Sequence, residues 1–96
     1  MTRYVLSPRA QNDMENIWDY TAERWSNEQA ERYARALQEA IETIAADPRR
    51  ARACDHIRAG YRKYSVGSHV IFFRTAANGI DIVRILQQRM DFERHL

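Results

Sequence analysis

Apolar positions along the 96-residue chain change period partway along its length. Arg3-Tyr4-Val5-Leu6 reads as a short strand that Ser7-Pro8 stops, because serine is a good N-cap and proline suits a first helical turn. From there Ala10, Met14, Ile17, Trp18 and Trp25 recur at helical spacing and predict a helix over residues 8–25. Ser26-Asn27 is too short for a loop and offers a new cap. Ala30, Tyr33, Ala34, Leu37, Ile41, Ile44 and Ala45 then mark a second helix reaching Ala46, which Asp47-Pro48 ends. Two helices of about 27–30 Å each, joined almost without a linker, fold back as an antiparallel hairpin.

Residues 49–59, "RRARACDHIRA", are charged and irregular and read as a loop. After Gly60 the period shortens. Tyr61–Val66, His69–Thr75 and Ile80–Gln87 are rich in β-branched and aromatic residues, and Gly67-Ser68 and Ala77-Asn78-Gly79 separate them as turns. Three such strands make an antiparallel meander, and Asp91–Leu96 is long enough for one helical turn. The layout is β-α-α-β-β-β, a single α+β domain over residues 1–96 with the helical hairpin packed on a small antiparallel sheet. Alternation in the last strand sets Ile82, Arg84 and Leu86 on one face and Val83, Ile85 and Gln87 on the other. Both faces are largely apolar. The hairpin covers one, and the other needs the C-terminal tail or a second chain.

Hydrophobic residues at 45% and charged residues at 29% describe an ordinary globular chain. No run approaches the roughly 18 apolar residues of a membrane span, and no apolar secretory core follows Met1-Thr2-Arg3-Tyr4, so a cytoplasmic protein with no membrane partner is expected. Cys54 is alone, which rules out an internal disulfide. The net charge of +2 hides a division. Residues 1–48 hold five Arg against nine Asp or Glu, a balance of −4; residues 49–96 hold ten Lys or Arg against four acids, a balance of +6. An arginine-rich half favours bidentate contact with carboxylates or phosphates.

Little points to a reaction centre. His56, His69 and His95 are far apart with no accompanying carboxylate cluster, so no metal site is expected. Three glycines provide no phosphate-cradling loop, and no cofactor or catalytic residue is assigned. Trp18 and Trp25, seven apart, share one side of the first helix, either packed on the second helix and sheet or left for a partner. Asp13, Glu15, Asp19 and Glu23 read as a solvated face. Arg84, in mid-strand between Ile82 and Leu86, must find a carboxylate or backbone acceptors if buried. An acid such as Asp81 or Asp55, or the acids of a partner, would serve.

The ordered set "YVLSPRAQNDMENIWDYTAERW", "QAERYARAL", "GYRKY", "HVIFFR" and "DIVRILQQRMD" resembles the ParE branch of the RelE/ParE toxin superfamily, and only residues 48–57 match poorly. The resemblance implies the same β-α-α-β-β-β fold. It also implies the toxin half of a bacterial type II toxin–antitoxin module, neutralised by a ParD-type antitoxin, with operator DNA reached only indirectly through that antitoxin. Characterised ParE toxins poison DNA gyrase. The RelE branch instead cuts mRNA in the ribosome with lysine, arginine and a C-terminal tyrosine or histidine. Here "HVIFF" lacks the arginine which that branch tends to place near the strand's start, Tyr64 stands where a lysine is expected, and no tyrosine follows Tyr64. "HVIFF" therefore reads as core, and the chain as a binding-type gyrase inhibitor. An mRNA endonuclease and an inactive relative that only holds its antitoxin are the alternatives. Arg62, Arg84, Arg89 and His95 are the candidates for target contact, and Trp18, Trp25 and Tyr33 for the antitoxin.

Overall fold

The computed structural model describes residues 3–96; Met1 and Thr2, which entered the reading on export, lie outside the described residues. Strand β1 is Tyr4–Leu6, and helix α1, Pro8–Arg24, follows it at once. The Ser7 hydroxyl accepts from the Ala10 N–H at 3.0 Å, which satisfies one of the amides a helix start leaves unpaired. Helix α2, Asn27–Ala46, begins the same way, with Ser26 Oγ accepting from the Gln29 N–H at 3.0 Å. With only Trp25 and Ser26 between them, the helices form the expected hairpin.

Strands β3 (Tyr61–Val66), β4 (His69–Ala76) and β5 (Gly79–Gln87) form the antiparallel meander. Strand β1 lies parallel to β5, with Tyr4–Leu6 opposite Ile80–Ile82, so the sheet is mixed. Gly79 permits that approach: at φ 148° it holds the chain against β1, and a Cβ there would stand 2.0 Å from the Arg3 carbonyl oxygen. The stretch expected as a loop also contributes. Pro48–Arg50 makes a 3-10 turn, and Arg52–Ala53 forms a two-residue edge strand, β2, opposite Lys63 and Arg62. Two residues are too few to show a period. The order across the sheet is β1-β5-β4-β3-β2.

Ala10, Leu37, Ile41 and Ile44 of the hairpin are fully buried against Ile71, Phe73, Ile80, Ile82 and Ile85 of the sheet. Each large side chain buried there contributes about 1.5–3 kcal/mol. Simple alternation in β5 fails at one point. Phe72 faces Arg84 but Phe73 faces Ile82, so Val83 is bulged out of the ladder. The bulge keeps Ile82 and Ile85 together on the hairpin side and sends Arg84 and Leu86 to the other. On that other face Cys54, Val70, Phe72 and Leu86 make a second core. It is covered from within the chain: Phe92 of the terminal helix α3 (Phe92–His95) meets Phe72 edge-on at 4.8 Å between centroids, and Ile57, Tyr61 and Leu96 complete the cover. His69 through Phe73 are all buried, so "HVIFF" is core.

Candidate functional site

Strand β1 stops at Leu6 while β5 runs on to Gln87, so the far half of β5 keeps β4 on one side but has no strand on the β1 side. Side chains and the start of α1 take over. The Ser7 N–H donates to the Ile82 carbonyl at 2.9 Å and its hydroxyl to the Val83 carbonyl at 2.8 Å. Asp13, six residues further on in α1, accepts from the Ile85 N–H at 2.9 Å. The same carboxylate receives Arg84 Nε at 2.8 Å and Nη2 at 2.9 Å, while Arg84 Nη1 donates to the His95 carbonyl at 3.0 Å. Arg84 thus ties α1, β5 and the C-terminal tail together.

Both partners are largely buried, with 16% and 10% of the Arg84 and Asp13 side chains exposed. The Asp13 hydrogen bonds raise the Arg84 pKa above its ordinary value, outweighing a burial that acts the other way. Arg84 therefore pairs with neither Asp81 nor Asp55. Asp81 meets Arg74 at 3.5 Å, and Asp55 accepts from the Gly60 N–H. Asp13 is not part of a solvated face. The signal that could have found it is its position on the apolar stripe of Ala10, Met14 and Ile17, where a lone carboxylate is out of place unless it is paired.

Beyond Asp13 a groove of about 260 Å³ opens between α1 and β5, walled by Ile17, Tyr20, Met90 and Leu86, with Asn16 and His69 among its polar groups. His69 is 8% exposed, and its Nδ1 lies 2.6 Å from the Tyr33 hydroxyl. That hydroxyl also meets the Val66 carbonyl at 3.3 Å and the Ser68 N–H at 3.2 Å. Tyr33 is therefore a brace between α2 and the β3–β4 turn, and Gly67 is glycine where a Cβ would press on its ring at 2.8 Å. Burial lowers the His69 pKa, with Asp13 acting more weakly in the opposite sense.

The other candidates lie apart. Arg62 is opposite Phe73, on the hairpin face, and donates to the Ala51 carbonyl at 3.0 Å. Arg89 is exposed in the turn after β5, and His95 is half-buried with its carbonyl held by Arg84. Of the four cationic candidates only Arg84 and His95 are brought together; Arg62 is on the opposite face from Arg84. Trp18 and Trp25 are not fully packed inside: they are 37% and 71% exposed, and Tyr20 and Val5, at 56% and 63%, are exposed as well. Burial pushes the Cys54 thiol above its usual range, which disfavours the nucleophilic thiolate. Among the described residues no group of three His, Cys, Asp or Glu is placed to hold a metal ion, and no helix is long and apolar enough to cross a membrane.

Comparison with known proteins places this geometry. Residues 4–92 match the family model of the ParE toxin of the type II toxin–antitoxin system, parDE. Toxin ParE1 of Mycobacterium tuberculosis is 57% identical over 96 residues, covering 99% of this chain and 98% of the relative. Toxin ParE1 of Caulobacter vibrioides is 45% identical over 96 residues, covering 100% and 99%. A solved structure of the chromosomal ParDE TA system from P. aeruginosa superposes with a TM-score of 0.78 at 18% identity, over 91% of this chain and 96% of that one. The chain belongs to the ParE family, the toxins of type II ParDE toxin–antitoxin systems.

Proposed function

We propose that this toxin arrests growth by binding DNA gyrase, without cutting nucleic acid itself, and that a ParD-type antitoxin neutralises it. The observation that carries the reading is the ParE match across residues 4–92. Arg84 adds support. A nuclease built on this sheet would need free cations to stabilise a phosphorane, whereas Arg84 is bound on three sides by Asp13 and the His95 carbonyl. Its role in this reading is to hold the tail, and Arg89 with the tail through His95 supplies the target contact. Arg62, on the other face, would touch a second part of the target.

The antitoxin segment lies along α1. Trp18 and Trp25 are the large exposed apolar side chains a folding-upon-binding segment needs, because ordering such a segment is offset only by extensive burial. Tyr33 shapes the neighbouring turn.

Addition of the purified chain to gyrase and relaxed plasmid tests this. The expected result is loss of supercoiling with linear DNA released on protein denaturation, and filaments with a DNA-damage response in cells. Transcripts severed on translating ribosomes, with gyrase unaffected, would replace this reading with the endonuclease. No growth defect and no effect on either target would leave a chain that only binds its antitoxin.

A further inference from the structure

The molecule is polarised along its sheet. Its exposed large apolar side chains, Val5, Trp18, Tyr20, Trp25 and Met90, belong to β1, α1 and the segments adjoining α1 and β5. The opposite edge, formed by β2 and the 3-10 turn before it, is cationic. Arg49, Arg50 and Arg52 are exposed there, with Arg58 nearby in chain and Lys63 half-buried behind them.

Arginine abundance alone says nothing, and Arg9, Arg24, Arg89 and Arg94 also have no carboxylate within ion-pair distance among the described residues; the β2 edge differs in gathering several such cations together and in setting two of them face to face. On α2, Arg32 and Arg35 each have a carboxylate one turn away, Glu28 at 2.7 Å and Glu31 at 2.9 Å. At the β2 edge only Arg49 has one, Asp47 at 3.2 Å; among the described residues Arg50, Arg52 and Lys63 have no carboxylate within ion-pair distance. The register makes this costly. Arg52 is directly opposite Lys63, and like charges facing each other across two strands repel. A strand edge is often charged to deter aggregation, but a two-residue strand offers little edge to guard, and Arg50 lies outside it. A polyanion would relieve the repulsion built into this edge.

We propose that the β2 edge, centred on Arg50, Arg52 and Lys63, docks on the phosphate backbone of duplex DNA. An acidic peptide fits less well, because the exposed apolar anchors that give peptides affinity are at the other end. A single strand fits less well too. Its bases need aromatic platforms, and the two tyrosines of β3 are both half-buried, Tyr64 packed on the hairpin-side core and Tyr61 with the Arg58 guanidinium 6.0 Å from its ring centroid. The contact is sequence-independent and leaves α1 free, so the chain can hold an antitoxin and DNA together. It depends on neither gyrase nor the antitoxin.

The test is anisotropy of a labelled mixed-sequence duplex titrated with the full chain across roughly 50 to 200 mM salt. Each neutralised phosphate contributes about 0.9 to the slope of log affinity against log salt, so R50Q/R52Q/K63Q should lower that slope by roughly 2.7. The control R24Q/R32Q/R35Q removes the same charge from α1 and α2 and should lower it by less than about 0.5. Circular dichroism and the three single variants, each expected to lower the slope by about 0.9, guard against misfolding of the triple. Equal loss in both triples would reduce the effect to net charge and overturn the proposal. So would the absence of duplex binding by the unaltered chain, tighter binding to single-stranded RNA, or a loss confined to antitoxin affinity.

Discussion

Asp13 and Arg84 are 71 residues apart in the chain and share two hydrogen bonds, of 2.8 and 2.9 Å, where β5 outruns β1. The carboxylate does the work of a missing strand for the Ile85 N–H and neutralises a buried guanidinium at the same time. Asp13→Ala strips the charge partner from Arg84 and the acceptor from Ile85, and should cost about 3 kcal/mol. At roughly 4–8 °C per kcal/mol for a domain of this size, the thermal midpoint should fall by about 12–24 °C. Pairing Asp13→Asn with Arg84→Met removes both charges and should recover part of that loss, since a neutralised pair leaves no buried ion behind. Purely additive effects in a denaturation double-mutant cycle would show the pair to be uncoupled.

The tail is held by Phe92 and Leu96 against the second core and by two of its carbonyls. Phe92 lies on Phe72, Arg84 takes the His95 oxygen and Arg58 the Leu96 oxygen. Phe92→Ala should lower stability by about 1–2 kcal/mol, less than a fully buried aromatic because Phe92 is only half-buried. Hydrogen exchange should quicken at Arg94 and Leu96, whose amides bond within the tail, and stay unchanged at Ile71 and Ile85. Uniform acceleration everywhere would mean the tail opens only with the whole domain.

The hairpin and the meander were legible because their apolar residues repeat over many positions: the stripe from Ala30 to Ala45, and the run from His69 to Phe73. What stayed hidden depends on single residues. The bulge at Val83 shifts Ile82 and Ile85 onto one face, and no local pattern announces a one-residue slip. Strand β2 exists only because Arg52 and Ala53 meet Lys63 and Arg62 across the sheet. At the candidate site, Arg84 was recognisable as a buried cation in need of a partner, yet Asp81 and Asp55 were closer in sequence than Asp13. Long-range pairing is decided by the crossing of α1 over β5, which is a property of the packed fold. The tryptophans taught the converse: helical spacing placed them on one side of α1, but not on the inside.

His69 makes stability depend on pH. Burial lowers its folded pKa below the unfolded value of about 6.5, so below that pH the unfolded chain takes up a proton that the folded one refuses. Stability from this group is fully present above the unfolded pKa, falls as pH drops through it, and stops falling below the folded pKa. His69→Asn keeps an acceptor for the Tyr33 hydroxyl without a titrating ring. Urea midpoints measured at pH 7.5 and 5.5 should drop further in the parent chain than in the variant. An equal drop would assign the whole dependence to other groups.

Trp18 and Trp25 offer the sharpest separation of folding from binding. Trp25 is 71% exposed, so Trp25→Ala removes little packing and should leave the unfolding free energy within about 0.5 kcal/mol of the parent; Trp18, 37% exposed beside Met14 and Ala34, should cost about 1 kcal/mol on truncation to Ala. If the antitoxin segment anchors on them, each side chain is fully buried only in the complex, where tryptophans typically cost 2 kcal/mol or more on truncation. Calorimetric titration with the antitoxin should then show affinity lower by about 30-fold for each variant, mostly through faster dissociation. In cells, the variants should still arrest growth when co-expressed with an amount of antitoxin that silences the parent toxin. Unchanged affinity in both would move the antitoxin off α1 and leave these two side chains without a partner-binding role.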